Sequence, residues 1–271
     1  MAEMGLSSPF GQEHVDDVPL TSSPLARVLA QVRFPRLSAL VSGDEVAHGV
    51  AAAMRADYPI LHDEREVAVT ITPEGVTQAP GSARIWHLRN ADDNWQVSFG
   101  DTFLAIDTSA YSSRNNFSVR LETAWRCFAD VVQPPFTERV GVRYINRMTD
   151  PERIHELSAL VRPEVLGGLA VPLHGVWLDH SISEALYHLG DLDGLQARWG
   201  LLPSGAVLDP TLPPVSERSW VLDIDSFRVG RGSIDPPDVA AQGRELGERA
   251  YRYFRWVVTP EFLKRFGGGV V

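Results

Sequence analysis

Two strand-like segments 110 residues apart each set an arginine between an aliphatic and an aromatic residue: Val32-Arg33-Phe34 and Val142-Arg143-Tyr144. Two others set aspartates in apolar runs, Leu104-Ala105-Ile106-Asp107 and Leu222-Asp223-Ile224-Asp225. Guanidinium groups are planar forks that hold carboxylate or phosphate through paired hydrogen bonds. Aspartates can receive those forks or offer oxygen to a divalent cation. The chemistry within reach is therefore recognition of an anion, or plain cross-strand pairing, in which opposite charges contribute about 0.2–1 kcal/mol per pair. Other chemistries lack their residues. A single lysine, Lys264, stands against 24 arginines, which removes the P-loop, Schiff-base and kinase-strand lysines. There is no Gly-x-Ser-x-Gly, no His-Glu-x-x-His and no glycine-rich phosphate loop. The eight histidines have no close metal spacing, and Asp223-x-Asp225 alone falls short of a cation site. Neither a catalytic residue, a metal nor a cofactor is expected.

Strands must position these charges. Ala26, Val28, Ala30, Val32 and Phe34 alternate with Arg27, Leu29, Gln31 and Arg33 up to Pro35, a period of two. A short helix through Val46, Val50 and Met54 follows, capped by Ser42 or Asp44. Strand patterns then cover 66–72, 84–90, 95–99 and 102–108, separated by turn residues such as Pro80-Gly81 and Ala91-Asp92-Asp93-Asn94. Leu121, Trp125, Phe128 and Val132 form one helical stripe, closed by Pro134-Pro135. The second half repeats the order: a strand over 139–148, a helix over 151–161 capped by Asp150, strands over 171–178, 183–189, 195–202 and 219–229, and a helix carrying Leu246, Ala250, Tyr253 and Val257. Residues 1–23 read as a mobile arm and 261–271 as a fraying tail.

If the valines and Tyr144 of these strands pack under the helices, the opposite sheet face carries Arg27, Arg33, Arg139, Arg143 and Arg147. By the same alternation it also carries Asp107, Asp223 and Asp225. These eight residues are the candidate binding set.

The expected fold is α+β: tandem β-α-β4-α units over 24–135 and 136–260, an antiparallel curved sheet with helices on one face. This topology resembles the duplicated TATA-binding-protein-like saddle. The chain also resembles a sporadically distributed, uncharacterised family of bacterial proteins. That resemblance rests on the Pro24-Leu25 opening strand, the Arg139-Val-Gly-Val-Arg-Tyr-Ile-Asn146 segment, the Leu222-Asp-Ile-Asp225 strand and the Val258-Thr-Pro-Glu-Phe-Leu263 close. It implies a mobile or defence-linked genomic setting and no particular activity.

At 271 residues the chain can bury a sizeable core unaided. Its net charge of −10 argues against nucleic acid, whose phosphates demand a positive field. Membrane spans and a secretory leader are not expected, and the lone Cys127 suits a reducing cytoplasm. The functional expectation is a cytoplasmic, non-enzymatic protein-binding component of accessory, immunity or antitoxin type. The alternative is an enzyme or sensor for a phosphorylated small molecule, a small anionic ligand held at the Arg/Asp face.

Overall fold

The structure, a computed structural model, describes residues 6–11, 15–41, 44–72, 75–209 and 211–268, with backbone alone over 65–83. Its strands are β1 (Leu25–Arg33), β2 (Ile60–Thr72), β3 (Gly75–Arg89), β4 (Trp95–Phe99), β5 (Phe103–Thr108), β6 (Thr137–Met148), β7 (Ser181–His188), β8 (Asp193–Leu202) and β9 (Ser219–Gly232). The helices are α1 (Ser38–Val41), α2 (Glu45–Met54), α3 (Arg114–Val132), α4 (Pro151–His155), α5 (Leu157–Leu160), α6 (Pro236–Val257) and α7 (Pro260–Arg265). The strands hydrogen-bond in the order β2-β3-β4-β5-β1-β6-β9-β8-β7, and the fold class is α+β. The β2–β3, β3–β4, β4–β5 and β7–β8 pairs are antiparallel hairpins. The chain divides into two compact units, with the cuts falling inside β1, β6, β9 and α6.

One unit comprises Leu29–Gly141 and Arg228–Arg244. Alternation in its strands buries Ala30 and Val32, Trp86 and Leu88, Val97 and Phe99, and Leu104 and Ile106. The predicted stripe of α3, Leu121, Trp125, Phe128 and Val132, is buried in full. Phe34 packs beside the rings of Trp125 and Phe128, at 6.2 and 5.3 Å between centroids. Trp125 Nε1 donates to the Ile234 carbonyl at 2.8 Å, so the indole is buried without a lost hydrogen bond. The Ser113 hydroxyl accepts from Asn116 N to open α3, and Gln133 closes it in the left-handed region. Asp44 precedes α2 without capping it; its carboxylate receives Arg84 Nη1 at 2.5 Å instead, and Ser42 lies outside the described residues. Pro80-Gly81 does not end a strand. It sits inside β3 at a register irregularity opposite Arg65–Val67, where a bulge absorbs the residues that cannot pair.

The other unit comprises residues 1–28, Val142–Phe227 and Glu245–Val271. Leu246, Ala250, Tyr253 and Val257 of α6 are wholly buried in it. Three local expectations fail here. Residues 171–178 form no strand: Pro172 cannot donate to a ladder, Gly175 takes φ +79°, and Val171, Val176 and Trp177 stay exposed. Among the described residues the second half accordingly has three strands after its short helices, not four. The expected frayed tail holds α7, capped by Thr259, whose Phe262 and Phe266 stack at 4.3 Å and are buried. Residues 15–23, expected as a mobile arm, are tied down. Tyr251 Oη donates to Asp16 O and accepts from Val18 N, Arg255 Nη1 donates to Asp16 O, and Ser22 N donates to Phe266 O.

Candidate functional site

The second unit's charged cluster begins at Asp223, the fifth residue of β9. Alternation puts Leu222 and Ile224 on one face and Val221, Asp223 and Asp225 on the other. The neighbours of β9 in the sheet are β6 and β8. Each supplies an arginine: Arg143 Nε and Nη2 donate to the two Asp223 carboxylate oxygens at 2.6 and 2.7 Å, a bidentate fork. Arg198 Nη2 and Nε donate to Asp223 Oδ2 at 2.5 and 3.1 Å. The remaining fork atom, Arg143 Nη1, reaches Asp209 Oδ2 at 2.5 Å, in the connection between β8 and β9. Asp209 Oδ1 in turn accepts from Thr211 N at 2.7 Å and from the Thr211 hydroxyl. Two guanidinium groups and two carboxylates thus form a neutral quartet across three strands.

The face carrying this quartet, expected to be free of helices, is covered by the irregular β8–β9 connection. Ile145, Leu202, Leu212 and Val221 make a second small core there, with Ala206 and Leu208 packed against it. The strands are apolar on both faces at these positions, so the β8–β9 connection must fold over to bury them. Arg147 Nη1 fastens that connection by donating to the Pro213 carbonyl at 2.6 Å. Asp223 is consequently 2% exposed and Asp209 5%.

Electrostatics follow the geometry. Burial on its own would raise the Asp209 carboxyl, but the Thr211 hydrogen bonds and Arg143 overcome it and hold the group below the ordinary carboxylate range. Burial pulls Arg143 down, and Asp223 with Asp209 more than reverses that, so its guanidinium is charged at any accessible pH. An incoming anion would have to displace a carboxylate that already fills the fork.

The eight sequence-predicted residues do not share one unit. Arg27, Arg143, Arg147, Asp223 and Asp225 belong to this unit, and only Arg143 and Asp223 of them join the quartet. Arg33, Arg139 and Asp107 belong to the other. There Arg33 is exposed at the end of β1, while Arg139 folds its guanidinium over Gly141, where an added Cβ would lie 2.5 Å from Nη1. Asp107 is buried opposite Gln96 in the β4–β5 pair. Burial pushes the neighbouring Tyr58 hydroxyl up, against the pull of Arg120, and the Asp107 charge adds to the rise.

Arg198 and Asp209 are the members that sequence reading missed. Arg198 was open to discovery, since alternation with Ala197 and Trp199 puts it on the face of Asp223. Asp209 was signalled only by Asp209-Pro210-Thr211, a turn-forming triplet.

The Leu29–Gly141 unit also holds a polar cluster that no motif announced. Register places His87 of β3 opposite Ser98 of β4, and Ser98 Oγ lies 2.8 Å from His87 Nδ1. Gln96 Nε2 donates to both, at 3.0 and 3.3 Å, which makes Nδ1 the acceptor and leaves the proton on Nε2. A nucleophile–base pair needs a third group orienting the imidazole. Here Nε2 is buried without a hydrogen bond, the Glu64 carboxylate lying 3.9 Å away. Burial lowers the His87 pKa.

Among the described residues no three His, Cys, Asp or Glu side chains converge as metal ligands, and no helix is long and apolar enough to cross a membrane. Burial, reinforced by Asp130, raises the Cys127 thiol away from thiolate. Comparison with known protein families, curated proteins and solved structures finds no match for the chain.

Proposed function

We propose that the protein is a non-enzymatic recognition module that binds another polypeptide through residues 171–177. One observation carries this reading: Trp177 is 84% exposed, beside Val176 at 63% and Val171 at 57%. Tryptophan is enriched among the residues that dominate interface energetics, and large apolar side chains grouped in water mark interaction sites. The segment is presented from fixed ends. Val171 N donates to Gly168 O at 3.2 Å, and Arg218 Nη2 donates to the carbonyls of Leu178 and Asp179 at 2.5 and 2.8 Å. The alternative, a phosphorylated small molecule at the arginines, draws less support because Arg143 and Arg198 already serve Asp223 and Asp209.

The order of elements in each half, strand, short helices, antiparallel strands and long helix, supports reading the chain as a diverged duplication. The sequence resemblance adds an accessory, immunity or antitoxin-like setting. Native mass spectrometry on protein purified gently from its host tests the proposal. The expected result is a polypeptide bound at fixed stoichiometry, lost from Val176→Ser/Trp177→Ser with no change in melting temperature. Retention of that polypeptide by the variant would overturn it, as would a partner-free chain carrying a small anionic adduct.

A further inference from the structure

The geometry of β7 points to a second copy of this chain as its partner: we propose that two protomers pair β7 with β7, antiparallel, with Leu186 on the two-fold axis. The inference rests on observations separate from Trp177. β7 is the terminal strand of the sheet order, so β8 occupies one of its edges only. The pairing with β8 runs unbroken from Ser181↔Leu201 to His188↔Gly194. Along its outer edge, no main-chain hydrogen bond to another segment is made among the described residues. Edge strands are ordinarily protected by proline, lysine or a bulge. β7, Ser-Ile-Ser-Glu-Ala-Leu-Tyr-His, has no proline, lysine or bulge, and its one acidic side chain is Glu184. Residues 167–170 lie against the Ser181 and Ser183 side chains, Gly168 N donating to Ser181 Oγ at 3.1 Å.

Its even-numbered residues define what a partner must match. Ile182, Glu184, Leu186 and His188 are exposed on one face, alternating with half-buried Ser181, Ser183, Ala185 and Tyr187. Antiparallel neighbours directly opposite each other point to the same face, and a two-fold axis perpendicular to the sheet preserves faces. Even residues must therefore oppose even residues, which puts the axis on a residue and leaves few registers. Centring on Glu184 sets two carboxylates against each other. Centring on Ala185 sets Glu184 against leucine and Ile182 against histidine. Centring on Leu186 joins the two leucines at the axis and sets Glu184 of each copy against His188 of the other, twice over. Of these registers, only the last matches both charge and polarity along the exposed face. An isologous, closed pair of this kind also consumes the open edge in both copies.

Sedimentation velocity on the full chain between about 1 and 100 µM tests this, with a species of twice 29.9 kDa expected. Glu184→Lys opposes lysine to histidine, and His188→Glu opposes two glutamates. Because each mismatch occurs twice, either change should raise the dissociation constant about tenfold. The double change Glu184→Lys/His188→Glu sets lysine against glutamate twice over and should restore the dimer. Leu186→Cys in a Cys127→Ser background should form an intermolecular disulfide on mild oxidation. Directly opposed antiparallel Cα atoms lie about 4.5–5.5 Å apart, inside the span a disulfide bridges. All four positions are exposed or half-buried, so the variants keep the fold. A chain that stays monomeric to 100 µM overturns the proposal. So does a dimer that neither cross-links at position 186 nor recovers in the charge-swapped double variant. Neither result bears on binding by Trp177.

Discussion

Replacing Asp223 by asparagine separates a structural quartet from a ligand site. The carboxylate accepts four hydrogen bonds from Arg143 and Arg198. An asparagine keeps one acceptor oxygen and turns an NH2 group toward guanidinium donors, so the Arg143 Nε bond goes if the nitrogen replaces Oδ1, and three bonds go if it replaces Oδ2. Hydrogen bonds to charged groups contribute about 1.5–3 kcal/mol each. The Arg143 and Arg198 side chains are 19% and 27% exposed, so water recovers part of the loss, and the lower figure applies. The lost bond, together with the loss of the carboxylate charge between two guanidinium groups, gives about 3 kcal/mol, at the low end of the roughly 3–5 kcal/mol typical for breaking a buried ion pair. The expected reading is a lower urea midpoint at unchanged slope, and a melting temperature down by about 6–12 °C for a domain of this size. A double-mutant cycle with Arg143→Gln should show coupling of at least about 1 kcal/mol. A loss under about 1 kcal/mol with no coupling would refute the quartet as a stabilising unit, and would mean that the arginines are free to serve an outside anion.

Two further outcomes follow from local geometry. Gly200 adopts φ +153° with an added Cβ only 1.8 Å from the Ser181 carbonyl oxygen, so Gly200→Ala should cost about 2–4 kcal/mol and loosen β7, read by urea midpoint and by amide exchange along 181–188. For His87 the pKa is lowered by burial, so below about pH 6.5 the unfolded chain binds a proton that the folded chain does not, and stability falls as pH drops through that window. His87→Gln should remove that part of the acid limb, and an NMR titration of His87 with a midpoint at or above 6.5 would contradict the assignment.

Much of the element order was legible because burial imposes a period. The four residues of each helical stripe are buried as spacing predicts, and β1 alternates in burial, whereas β5 and much of β6 and β9 are buried on both faces. What periodicity cannot supply is which strands become neighbours. Arg143 and Asp223 lie 80 residues apart, and only the order β6-β9-β8 makes them partners and brings in Arg198. Nor does alternation reveal that a face is covered from elsewhere: Val221 and Ile145 signal it, but they read equally well as strand formers. The stretch 171–178 failed for a simpler reason. Its apolar residues match a strand pattern, yet Pro172 and Gly175 deny it the backbone a strand requires.

The strapping of residues 15–23 onto α6 and the segment after it sets an order of assembly. Arg255 and Asp16 meet across 239 residues of chain. On a ribosome adding roughly 5–20 residues per second, the first segment waits on the order of ten to fifty seconds for the helix that receives it. Leu29–Gly141 is meanwhile available in one contiguous piece, whereas the unit containing the amino-terminal segment draws on three stretches, the last ending at Val271. Vectorial synthesis thus lets the contiguous segment begin to fold early and makes closure of the strap a late event, one that reports that α6 has been made.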